Sequence, residues 1–197
     1  MRHLIASTIA LTTVLGAGTS LAQSLGEQGD LVLGFERMFG IHWWHNNYEP
    51  DGAGDDESSS GTVVGFGWHR HGGSYNAPRI GFDGFIIDQL SLGGSLGFYT
   101  RGGDDDGDGL ILYPRVGYAM PLSADWVFWP RGGISYSDLD EVTRTALSGE
   151  GQFLWFPQPS WAIMFGPTLD LGVGGSVPGG DFTDHNFGVQ FGGVGIF

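Results

Sequence analysis

The stretch LILYPRVGYAM, residues 110–120, decides how this chain folds. In an extended backbone successive side chains point to opposite faces. Leu110, Leu112, Pro114, Val116, Tyr118 and Met120 therefore share one face, and Ile111, Tyr113, Arg115, Gly117 and Ala119 the other. The first face is apolar and mostly large. The second mixes small residues with large ones and carries the charge. A soluble barrel turns its apolar face inward and wets the polar one, so these faces suit the reverse arrangement, with lipid outside and a tight polar interior.

The same division recurs on both sides of this stretch. WVFWPRGGISY (126–136) sets Trp126, Phe128, Pro130, Ile134 and Tyr136 against Val127, Trp129, Arg131, Gly133 and Ser135. PRIGFDGFI (78–86) sets Ile80, Phe82 and Ile86 against Arg79 and Asp83. LSLGGSLGFYTR (90–101) and WAIMFGPTLDL (161–171) repeat it, Asp170 falling on the small-residue face of the latter. The 37 Gly and 14 Phe in 197 residues oppose long helices and suit strands around a crowded interior. Proline inside three of the runs cannot donate to a ladder, so a bulge, a rim or an irregularity must absorb it.

Residues 1–22 carry Arg2 and His3, an apolar run from Leu4 to Leu15, and small residues at Ser20 and Ala22. That is the pattern of a signal peptide cleaved after Ala22, which leaves 23–197 as one barrel domain of an exported protein. With no Cys in the chain, neither disulfides nor thiolate metal sites can hold the fold. The formal net charge of -14 repels phosphate backbones and excludes nucleic acid as an expected partner. Most of the acids fall in four segments, 46–60, 104–109, 137–151 and 178–184, expected as longer outer loops, whereas 86–90, 121–125 and 156–160 read as short turns. Short turns at one end and longer acidic loops at the other are the asymmetry of an outer-membrane barrel, with Trp43, Trp44, Trp126 and Trp161 in its interfacial belts.

The expected strands are 30–44, 79–87, 90–101, 110–120, 126–137, 151–157, 161–172 and 185–197, with 62–70 as the outer part of the second strand or a hairpin above it. The last, HNFGVQFGGVGIF, places Phe187, Val189, Phe191 and the terminal Phe197 on one face, with Gly193 and Gly195 between. On these residues the chain resembles the small outer-membrane β-barrels of Gram-negative bacteria with the OmpA or OmpX type of eight-strand barrel. The resemblance implies a closed, all-β antiparallel transmembrane barrel whose final strand carries an assembly signal. It also implies outer-membrane lipid, lipopolysaccharide and the barrel-assembly machinery as partners, and a monomer. Members of this class serve as adhesins, anchors, narrow channels and lipid-modifying enzymes, so the fold alone selects no function.

An eight-strand barrel holds little beyond its own side chains. Glu36, Asp83 and Asp170 can meet Arg79, Arg115 and Arg131 there, and buried charges need such partners. The expected result is an ion-pair plug. Two metal sites compete with plainer accounts. Asp104, Asp106 and Asp108 alternate as in a Ca2+ loop, but Arg115 stands where the bidentate Glu belongs. His42, His45, His69, His71 and His185 all approach one outer rim, where a borderline metal such as Zn2+ finds imidazoles. For catalysis the rim offers only His71, Ser74 and the Asp184–His185 neighbours. The expected role is therefore structural or surface-interacting, without enzymatic activity or cofactor. A narrow cation-favouring channel is the first alternative, and a lipid-modifying or proteolytic enzyme the second.

Overall fold

The computed structural model describes residues 25–52, 55–66, 77–101, 107–139 and 142–197, with the side chains of 99–101, 107, 108 and 139 left aside. Alternation becomes strand throughout. The elements are β1 (Leu31–Pro50), β2 (Glu57–Phe66), β3 (Arg79–Ile87), β4 (Leu90–Arg101), β5 (Gly107–Tyr118), β6 (Met120–Pro121), β7 (Trp126–Leu139), β8 (Val142–Gln158), β9 (Trp161–Val177) and β10 (Gly180–Ile196). All pairings are antiparallel, and β1 pairs β10 from Val32↔Ile196 to Pro50↔Gly180, which closes the sheet on itself.

Ten strands fill eight places in the wall. β3 pairs the lower part of β1 (Leu31 to Glu36) and β2 the upper part (Phe39 to Tyr48), so the two share one edge of β1. β6 resumes the line of β5 after Ala119 and pairs β7. Residues 57–66 thus form the upper part of the second wall position, and 67–70 lie outside the described residues. Both ends of the described chain lie at the lower end of the barrel, with the turns at 88–89, 122–125 and 159–160.

At the upper end the strands run further than the alternation indicates. Residues 142–150, expected within a loop, belong to β8, and 180–184, likewise expected in a loop, begin β10. β8 already begins at Val142, and the turn between β9 and β10 shrinks to 178–179. Alternation fails there because the outward face turns polar, at Thr143, Thr145, Ser176, Asp181 and Thr183, while the inward one carries Arg144 and Asp184 beside Phe182. β1 is 20 residues long and β8, β9 and β10 are 17 each, against the roughly 9–11 that cross a bilayer at a tilt. These four strands therefore continue as a wall well above any membrane span.

The burial of side chains is inverted relative to a soluble domain. Thirty large apolar side chains are exposed, Phe35, Phe82, Leu92, Val116, Ile134 and Leu169 among them, against sixteen buried hydrophobic residues among those described. The faces of β5 and β7 fall as the sequence predicts, with Tyr113, Arg115, Trp129 and Arg131 inside and Leu112, Val116, Trp126 and Ile134 outside. Pro114, Pro130 and Pro167 also lie on the outward parity, and beside each the ladder to one neighbour is interrupted. A missing N–H is harmless where no partner waits for it.

Phenylalanines make one outward feature that alternation alone does not show. Phe128, Phe153, Phe165, Phe191, Phe39 and Phe66 are successive register partners across β7, β8, β9, β10, β1 and β2. Their ring centroids lie 4.8, 5.9, 5.9, 5.7 and 4.6 Å apart along this diagonal band.

Candidate functional site: the charged interior

The interior is built in layers. At the lower end Leu25 enters an apolar cluster with Val32, Phe85, Ala119, Val127, Trp129, Leu154, Ala162, Met164, Val194 and Ile196. The segment carrying Leu25 is fastened beneath the barrel. Gly26 and Glu27 N–H groups both donate to Asp30 Oδ2 at 3.0 Å, and Gln89 N–H donates to the Gly26 carbonyl at 2.6 Å. The expected polar core is thus apolar in its lower part, because Val127, Leu154 and Ala162 occupy inward positions there.

Above that layer lie four guanidinium groups, of Arg37, Arg79, Arg115 and Arg131, and four carboxylates, of Glu36, Asp83, Glu150 and Asp170, all at most 4 % exposed. Arg115 donates to both oxygens of Glu36, at 2.7 and 2.6 Å, and also pairs with Asp83. Arg131 joins Glu36 at 2.8 Å to Glu150 at 2.6 Å. Arg37 joins Glu150 at 3.1 Å to Asp170 at 3.0 Å. The network therefore laces β1, β3, β5, β7, β8 and β9 together across the lumen. Equal numbers of opposite charges leave no formal excess, which is the condition for holding ions away from water.

Aromatic rings and absent side chains shape the layer. The Arg115 and Arg79 guanidiniums lie 5.5 and 5.8 Å from the Tyr113 ring, and Arg131 lies 4.7 Å from Trp129. Trp129 Nε1 donates to Ser91 Oγ at 3.2 Å. A Cβ at Gly81 would fall on the carboxylate of Glu36 and 2.9 Å from Arg115 Nη2, so glycine there makes room for the ion pair.

Two network members escape a reading by alternation. Arg37 follows Glu36 directly, and strict alternation sends one of them outward. Both point inward because β1 carries a bulge between Phe35 and Phe39, with Arg37 at φ 55°. The detectable signal is the ER pair itself, since neither charge is tolerable on an apolar face. Glu150 falls in the segment 137–151 expected as a loop, yet continuing the parity of Gln152 and Leu154 by one step puts it inside. Glu36, Arg79, Asp83, Arg115, Arg131 and Asp170 are all interior and buried.

The other candidate groups separate. His42 is buried inside the barrel, whereas His45 and His185 are outward register partners, so these three do not form one rim site. His69, His71, Ser74, Asp104, Asp106 and the expected leader 1–22 lie outside the described residues, as does the side chain of Asp108. Among the described residues no three His, Asp or Glu side chains are grouped to hold a metal. Asp184 points inward and His185 outward, so these chain neighbours cannot work as an acid–base pair. Phe187, Val189 and Phe191 share the outer face of β10, and Phe197 exchanges backbone hydrogen bonds with Leu31 at 2.9 and 3.0 Å.

No protein-family model matches the chain. No curated protein matches it in sequence. Its fold is similar to that of outer membrane protein OprG from Pseudomonas aeruginosa, with 11% identity over 89% of this chain and 98% of that one and a TM-score of 0.46. Neisserial surface protein A is similar at 12% identity, 85% and 97% coverage and a TM-score of 0.44. Ail, the attachment invasion locus protein of Yersinia pestis, is similar at 11% identity, 84% and 99% coverage and a TM-score of 0.37. The likeness is one of fold.

Proposed function

We propose that this chain is an integral outer-membrane β-barrel whose lumen is sealed and whose raised wall serves a structural or surface-interaction role, without enzymatic activity. Residues 1–22 act as the export leader. Lipid covers the outward apolar face, lipopolysaccharide surrounds the base of the raised wall, and Phe197 ends the strand that the assembly machinery engages. One observation carries the sealed reading: two closures stand in series, the cluster around Leu25 below and the ion pairs of Arg37, Arg115 and Arg131 above. Water and ions would have to pass both.

The test is single-channel recording from the refolded barrel in a planar bilayer, folding being established first by heat-modifiable gel migration. Silence from the folded protein is the expected result. Reproducible conductance that rises on replacing Arg115 with Met would overturn the sealed reading in favour of the narrow channel.

A further inference from the structure

We infer that His45 and His185 form a two-imidazole site for a borderline divalent transition-metal ion, which staples the seam where the first and last strands meet. The two residues are direct register partners across β1 and β10. Residues opposite each other in an antiparallel pair carry their side chains on the same face, with Cβ atoms about 4.5–5.5 Å apart. The face is the outer one, because Trp43 and Phe187, the next pair below, are both exposed and stack at 5.8 Å. An ion held about 2.0–2.1 Å from each of two imidazole nitrogens fits such a spacing.

A second observation points to a ligand. His185 Nδ1 is buried and has no hydrogen-bond partner among the described residues. A nitrogen engaged by neither solvent nor protein is unclaimed by any other contact, and in the tautomer with the proton on Nε2 it is a ligand of the kind that suits Zn2+, Cu2+ and Ni2+. Ser60 is the register partner of His45 on its other side, and Leu171 that of His185. The lateral neighbours thus supply one weak oxygen ligand, the next outward pair above is the neutral Asn47 and Thr183, and water completes the shell. Hard cations such as Ca2+ and Mg2+, which demand several oxygens, are poorly served.

The consequence is mechanical. His45 and His185 are 140 residues apart in the chain, and an ion bound to both resists separation of the β1–β10 ladder that closes the barrel. An ion that binds the closed barrel and not the open one stabilises closure by mass action.

The experiment titrates Zn2+ alone into the folded full-length barrel in detergent micelles. It measures stoichiometry by calorimetry and the temperature at which the folded band converts to the unfolded one on a gel. One ion per barrel and a Zn2+-dependent rise in that temperature are expected. His45→Asn and His185→Asn should each weaken binding about tenfold or more and remove the rise. If either variant folds poorly, Cu2+ bound to the unmodified barrel should show couplings to two imidazole nitrogens by electron paramagnetic resonance. Absence of binding, or binding unchanged in both variants, overturns the inference.

Discussion

At the residue scale, Arg37 combines a left-handed backbone with two buried ion pairs, and the two can be tested separately. Both Arg37→Ala and Arg37→Gly lose the contacts to Glu150 and Asp170, but only glycine adopts φ 55° without cost. Urea unfolding of the refolded barrel should find the Ala variant less stable than the Gly variant by about 1–2 kcal/mol. Arg115→Met leaves Glu36 and Asp83 without their main partner, and the same measurement should show a loss of about 3–5 kcal/mol. Glycines divide by the space around them. Gly81→Ala pushes a methyl group into the Glu36 carboxylate and should destabilise the barrel clearly. Gly149→Ala meets nothing within 4 Å and should be neutral, or stabilising by about 0.5–1 kcal/mol. The six interior charges expected from the sequence were legible because each follows the parity of an apolar strand. Arg37 was not, because a bulge shifts parity by an amount that alternation itself does not encode.

At the scale of elements, the apolar halves of the strands were legible and the upper halves were not. Leu110 to Met120 alternates because one face meets lipid and the other a packed lumen. Above Thr145 on β8 the outward face turns polar at Thr143 and the inward one carries Arg144, so the contrast between faces that alternation reads is lost. The diagonal phenylalanine band depends on inter-strand register, which a linear pattern leaves open. The band should act as a cross-strand adhesive. A double-mutant cycle between Phe128 and Phe153, whose rings are 4.8 Å apart, should give a coupling of about 0.5–1.5 kcal/mol in the unfolding free energy of the refolded barrel.

At the scale of the whole molecule, the ring is closed where the first and last strands meet. Leu31 and Phe197 are joined by reciprocal backbone hydrogen bonds that a serine at 197 keeps, so replacing the exposed Phe197 ring tests the side chain apart from the ladder. Phe197→Ser should lower the yield of folded barrel in the outer membrane while leaving synthesis and export unchanged, as read by heat-modifiable migration of membrane fractions. An unaltered yield would overturn the proposal that Phe197 belongs to an assembly signal.

Closure also has to choose a girth. In a barrel, the stagger accumulated around the ring fixes the diameter together with strand number. A slip of β1 along β10 by two residues would preserve every inward and outward assignment, so alternation cannot forbid it. The bulge between Phe35 and Phe39 can. It allots four steps of β1 to two of β10, and it turns Arg37 to meet Asp170 and Glu150 from strands on the far side of the seam. A slipped ring would carry those charges past one another and leave them stranded in a narrow, dry lumen. The bulge is in this sense a pawl, admitting one shear and hence one width of tube.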